Sequence, residues 1–152
     1  DNRLAWFLGG LDKKYEDDST FYVHLTRNTD KVVESYLLRW HMTVSIVRAF
    51  YHGILMTPKK PHPDRARQSC RLFVQTTDEN IRYFLKNRNN WIHVRVENLE
   101  HDFFAFMSAV KLNGDRDAIL GELRDIKNVN KKQYRRKMWI NKFRSMFSSR
   151  RL

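Results

Sequence analysis

The stretch that decides the fold is Ser69-Cys70-Arg71-Leu72-Phe73-Val74-Gln75-Thr76-Thr77-Asp78-Glu79-Asn80-Ile81-Arg82-Tyr83-Phe84-Leu85-Lys86. Its first half alternates. Leu72 and Val74 point one way along an extended chain, and Arg71, Phe73 and Gln75 point the other. Its second half has helical spacing, with Asp78 as an N-cap and Ile81, Phe84 and Leu85 behind it. The stretch reads as a strand running into a helix. A second strand follows at Trp91–Val96, where Ile92, Val94 and Val96 alternate with Trp91, His93 and Arg95. In both strands one face is aliphatic and the other mixes aromatic and basic residues. The first kind of face suits a core; the second suits stacked bases and phosphates.

Toward the N-terminus, Thr20–Thr26 reads as a strand with Phe21, Val23 and Leu25 on one face and Tyr22, His24 and Thr26 on the other. Thr29 or Asp30 can cap a helix carrying Val33, Tyr36, Leu37 and Trp40. Thr43–Tyr51 is rich in β-branched residues and reads as a strand, in competition with one continuous helix from Asp30 to His52. His52–Arg67, with Gly53, Pro58, Pro61 and Pro63, reads as an exposed loop carrying Lys59, Lys60, Arg65 and Arg67 against Asp64.

Toward the C-terminus, Leu99–Leu112 is an unusually apolar helix that stops at Asn113-Gly114, and Asp115–Ile126 is a second helix. The tail from Lys131 contains Lys131, Lys132, Arg135, Arg136, Lys137, Lys142, Arg144, Arg150 and Arg151, interleaved with apolar residues and without an acid. Four segments result: an apolar arm (1–19), a central domain (20–98), a helical extension (99–127) and a basic amphipathic tail (128–152).

The order strand, helix, strand, strand, helix, strand is that of α+β, ferredoxin-like βαββαβ folds, with helices on one face of the sheet. Over residues 20 to 98 the chain resembles an RNA recognition motif. Phe21-Tyr22-Val23 matches the opening of that family's first signature, and Leu72-Phe73-Val74 matches the end of its second. The family's Lys/Arg-Gly-aromatic step is Ser69-Cys70-Arg71 here, and His24-Leu25 replaces its Gly-Asn. The resemblance implies that Tyr22 and Phe73 stack bases, with Arg71 in place of a third stacking ring. The same sheet face would present His24, His93 and Arg95.

The formal net charge is +12, from 29 Lys and Arg against 17 Asp and Glu. That excess favours an anionic partner. The expected function is binding of nucleic acid, RNA over DNA, as a ribonucleoprotein component. Lys59, Lys60, Arg65, Arg67, Lys131, Lys132, Arg135, Arg136 and Lys137 would meet phosphates. A second reading is a protein-interaction module in a larger assembly, its sheet closed by Phe103, Phe104 and Phe106, with an acidic protein as partner. A third starts from Leu4-Ala5-Trp6-Phe7-Leu8-Gly9-Gly10-Leu11-Asp12, which resembles the helix motif of LAGLIDADG homing endonucleases. That resemblance implies a metal-binding acid at the motif's end, although the motif's second glycine-acid step is missing. The alternative for this segment is an arm that packs its aromatics on the domain.

The single cysteine, Cys70, makes no internal disulfide and points to a reducing, intracellular setting. No apolar run reaches the ~20 residues of a membrane span, so a membrane is not the expected partner. His41, His52, His62 and His101 lack metal-ligand spacing, and Asp17-Asp18 and Asp115/Asp117 sit in polar, turn-like contexts. There is no Gly-rich phosphate loop, nucleophile elbow or Cys/His dyad, and neither an enzyme nor a cofactor is expected. The sequence opens on Asp1 rather than Met, which leaves open a segment ahead of it.

Overall fold

The computed structural model describes residues 3–15, 19–42 and 44–124. The chain divides into two compact units, Asp1–Asp102 and Phe103–Leu152. The described residues form an α+β structure with the order α1 (Leu8–Lys14), β1 (Tyr22–Thr26), α2 (Thr29–Leu38), α3 (Ile46–Ala49), α4 (Pro63–Leu85), β2 (Trp91–Arg95) and α5 (Leu99–Ala109), then α6 (116–124). A 3-10 turn at Leu4–Trp6 precedes α1, and a π turn at Phe50–Ile54 prolongs α3.

The decisive stretch is the middle of one 23-residue helix, α4, rather than a strand and a helix. Pro63 stands at its first turn with Asp64 beside it, where the missing N–H is harmless and the carboxylate favours the helix dipole. No Gly or Pro follows until the helix ends. Ala66, Ser69, Cys70 and Phe73 recur at three- and four-residue steps and are all buried. That period holds over several turns, whereas the alternation of Arg71 to Gln75 spans five residues and fits either structure. Leu72, expected in the core, is 44% exposed. Asp78 is not a cap; it lies inside the helix and accepts from Arg82 one turn later. Thr77 keeps its β-branched side chain in the helix by donating its hydroxyl to the Phe73 and Val74 carbonyls at 2.9 and 3.0 Å.

The described part of the segment, 44–51, is not a strand either. Ile46–Ala49 is helical, and the helix expected to compete for 30–52 is broken between Leu38 and Ile46. Its β-branched residues pack inward: Val47 is fully buried with Val33, Phe50, Cys70 and Phe73, and Ile46 lies against this cluster. Tertiary burial overrides the local strand propensity here. The core is therefore a three-helix contact of α2, α3 and α4, with Tyr36, Leu37, Trp40 and Val74 around it.

Among the described residues the sheet has two strands, β1 and β2, paired in parallel from Tyr22↔Trp91 to Thr26↔Arg95. The other two strands of the expected four-stranded sheet are helix. In β1 the side-chain faces are used in the opposite sense. Tyr22 meets Phe84 of α4 edge-on at 5.3 Å, and His24 reaches Asp78 of α4 at 3.0 Å. Tyr22 and His24 thus pack on the helix, while Val23 (45%) and Leu25 (60%) are exposed. In β2 the expected sense holds, with Val94 buried and His93 and Arg95 exposed. The reason lies in α4: at the level of the sheet it offers Asp78 and Phe84, partners for a histidine and a tyrosine.

The start of α5 is tied to the end of β2. Asp102 accepts from the Arg95 backbone N–H at 2.9 Å and from its guanidinium at 2.8 and 3.0 Å, and also from Asn98. In the second unit Phe103 contacts Phe104 and Phe106, and the Arg116 guanidinium lies 4.7 Å over the Phe104 ring. Asp115 caps α6 by accepting from the backbone of Asp117 and Ala118.

Candidate nucleic-acid interface

A groove of about 670 Å³ opens between the N-terminal segment and the last turns of α4. One wall is Ala5, Trp6, Leu8, Gly9 and Asp12; the other is Asn80, Tyr83, Phe84, Asn87 and Arg88. The α4 wall follows from helix geometry. Positions 80, 83 and 84 are spaced i, i+3, i+4, so their side chains form one stripe, which Asn87 extends in the turn after the helix. The arm is held by Trp6, whose indole lies 5.9 Å from the Phe50 ring and 6.2 Å from the Phe73 ring, and by buried Ala5. Asp12 of α1 pairs with Arg88 across the groove. The Arg88 guanidinium lies 4.3 Å over the Phe84 ring and 5.3 Å over the Tyr22 ring. Tyr83 is 81% exposed, and the Asn80 and Asn87 amides are exposed too. The groove thus offers a free aromatic ring, two amides, a carboxylate and a guanidinium within one small-molecule-sized space.

The sheet-face residues do not form one open platform. Phe73 is 1% exposed, at the centre of the core, and cannot stack on a ligand. Tyr22 is partly covered by Phe84 and Arg88, and its hydroxyl donates to the Tyr15 carbonyl. Arg71 is spent on Asp30 and Arg67 on Glu34, two pairs that tie α4 to α2. Arg95 is held by Asp102. Lys59, Lys60 and Arg65 are exposed, in the loop before α4 and in its first turn. Arg65 and Asn80 are separated by ten helix rises and five more, on the order of 20 Å along α4. Lys131, Lys132, Arg135, Arg136 and Lys137 lie outside the described residues.

His24 is buried and stacks on His93 with centroids 5.3 Å apart. Its Nε2 faces Asp78 at 3.0 Å, and Asp78 also takes Arg82 at 2.7 Å. His93 is exposed and its Nε2 lies 2.7 Å from the Thr26 hydroxyl. Burial pushes the His24 imidazole below its ordinary pKa, against the pull of Asp78 and with help from His93 and Arg82. The same residue types that suggested base stacking are here a tie between β1 and α4.

Charge is distributed unevenly. Residues 125–152 carry ten Lys and Arg against one acid, so nine of the twelve net charges lie there and the rest of the chain is nearly balanced. Among the described residues no group of three His, Cys, Asp or Glu side chains could hold a metal ion. Asp12, the acid of the segment resembling the homing-endonuclease motif, is engaged by Arg88. No helix among the described residues is long and apolar enough to cross a membrane.

The groove went unseen in the sequence. Its α4 stripe exists only because residues 63–85 form one helix, and its other wall comes from a segment some seventy positions away. Comparison with known proteins finds no matching family model, no matching curated protein and no matching solved structure.

Proposed function

We propose that the chain binds single-stranded nucleic acid, RNA in preference to DNA, with the groove receiving unstacked bases and the cationic segments meeting phosphates. The observation that carries this reading is the groove itself, where the exposed Tyr83 ring stands between two exposed amides. Aromatic rings that stack bases, with hydrogen-bonding groups around them, are the usual means of holding unpaired nucleotides. Exposed Lys59, Lys60 and Arg65, before α4 and in its first turn, would contact a strand that runs along the helix. Lys131, Lys132, Arg135, Arg136 and Lys137 add sequence-independent attraction. The role formerly expected of Phe73 and Arg71 passes to Tyr83 and the amides.

The test is binding of labelled single-stranded RNA, single-stranded DNA and duplex DNA to the full chain across a salt series. The expected result is a single-strand preference, affinity that falls linearly on a log–log plot with salt, and a loss of more than about tenfold on Tyr83→Ala. Equal affinity for all three, untouched by Tyr83→Ala, would reduce the interaction to nonspecific charge.

A second reading, the protein-interaction module, is favoured by one observation: Val23 and Leu25 of β1 are exposed. On that reading Leu25→Lys abolishes capture of a protein partner and leaves nucleic-acid binding unaltered.

A further inference from the structure

The groove holds a carboxylate, and that is unexpected for a site that meets a polyanion. Asp12 lines it beside Trp6, Leu8 and Gly9, opposite Tyr83 and the two amides. Its side chain is 54% exposed, and the bond from Arg88 falls on Oδ1. A carboxylate has about four acceptor positions, so the bond from Arg88 leaves the second oxygen and further lone pairs for a ligand. A carboxylate repels phosphate and has no use for a base edge that offers acceptors. It is satisfied by two adjacent N–H donors. Among the four standard bases only guanine presents such a pair, N1–H beside the N2 amino group.

The other residues agree with that edge. Guanine's O6 and N7 are acceptors, and the groove supplies amide donors for them in Asn80 and Asn87. Neither amide is engaged by another group among the described residues. Tyr83, 81% exposed, gives the purine a face to stack on. Adenine and cytosine turn an acceptor toward the carboxylate next to their amino group, and uracil offers a lone N–H flanked by carbonyls.

We propose that the groove is a guanine-reading pocket, in which Asp12 accepts from N1–H and N2–H while Tyr83 stacks on the ring. This rests on the reading of the chain as a single-strand binder and adds base preference to it.

The test uses the full chain and fluorescein-labelled twelve-nucleotide RNAs of uridine with one central guanosine, inosine, adenosine or cytidine. Inosine keeps O6, N1–H and N7 and lacks only the N2 amino group. The expected result is guanosine bound about tenfold more tightly than inosine and than the other bases, as for a single well-made base contact. Asp12→Asn should erase the difference between guanosine and inosine. Equal affinity of the unmodified chain for the two RNAs overturns the guanine pocket while the single-strand reading stands. Guanosine preference that survives Asp12→Asn also overturns it, since the carboxylate would not be the reader. Failure of every RNA to bind overturns the broader reading and the pocket with it.

Discussion

The indole of Trp6 stacks on the ring of Phe73, with centroids 6.2 Å apart and planes 29° apart. Phe73 also meets Phe50 edge-on at 5.3 Å and Tyr36 edge-on at 5.6 Å. One ring therefore joins the N-terminal arm, α2, α3 and α4, and the wall of the groove that Trp6 forms depends on it.

Phe73→Ala is expected to destabilise the chain by about 3–5 kcal/mol, the usual cost of emptying a ring-sized space in a core. Trp6→Ala should cost less, because Trp6 is 37% exposed, yet it should weaken RNA binding. Chemical denaturation of both variants measures the difference. A Phe73→Ala protein as stable as the parent would mean that the ring is not central.

Cys70 is fully buried in the same cluster, and burial pushes its thiol up to about 11. A thiol both neutral and covered is a poor nucleophile. The folded chain should react with a disulfide reagent at pH 8 at least a hundredfold more slowly than the chain in denaturant. Rapid labelling under native conditions would contradict the packing of α4.

His24 couples stability to pH. Its folded pKa is depressed by burial, so the unfolded chain binds the proton more readily. The contribution is complete above the unfolded value of about 6.5 and declines as pH falls through the folded value. Stability measured between pH 8 and pH 5 should fall on the acid side, and His24→Gln should flatten that slope. A slope unchanged in the variant would assign it to other groups.

Asp102 acts lower on the scale. Hydrogen bonds from the Arg95 side chain and backbone, and from His101, hold its carboxyl well below the usual carboxylate range. The stabilisation is present above about pH 4 and is lost as pH falls below it. Asp102→Asn should lower the thermal midpoint by several degrees at pH 7 and by less at pH 3. Equal losses at both pH values would mean that shape rather than charge is what matters at this position.

Much of the framework was legible from pattern alone. The alternation at Tyr22–Thr26 and Trp91–Arg95, and the helical spacing of Val33, Tyr36 and Leu37 and of the segment from Leu99, correspond to β1, β2, α2 and α5, although the cap of α2 is Asn28 rather than Thr29 or Asp30. The long helix α4 was not legible, for a physical reason. Three of its five buried residues are Ala66, Ser69 and Cys70, small residues that carry little hydrophobic signal. Pro63, read as a turn residue, is equally suited to a first helical turn. The sense of β1, though not of β2, was missed because alternation says that two faces differ and not which one finds a partner. His24 goes inward because Asp78 is there to receive it, and that carboxylate belongs to a helix distant in sequence.

The parallel register that joins Tyr22 to Trp91 has a kinetic meaning. A parallel pair cannot zip from a short hairpin; its two strands meet only after the chain between them has been brought back. That intervening chain contains all five residues of the buried cluster, Val33, Val47, Phe50, Cys70 and Phe73. Closing so long a loop before those helices condense would forfeit chain entropy with nothing gained in return. The helical core is thus expected to form first, and the amides of β1 and β2 should acquire protection from hydrogen exchange after those of α2 and α4 during refolding.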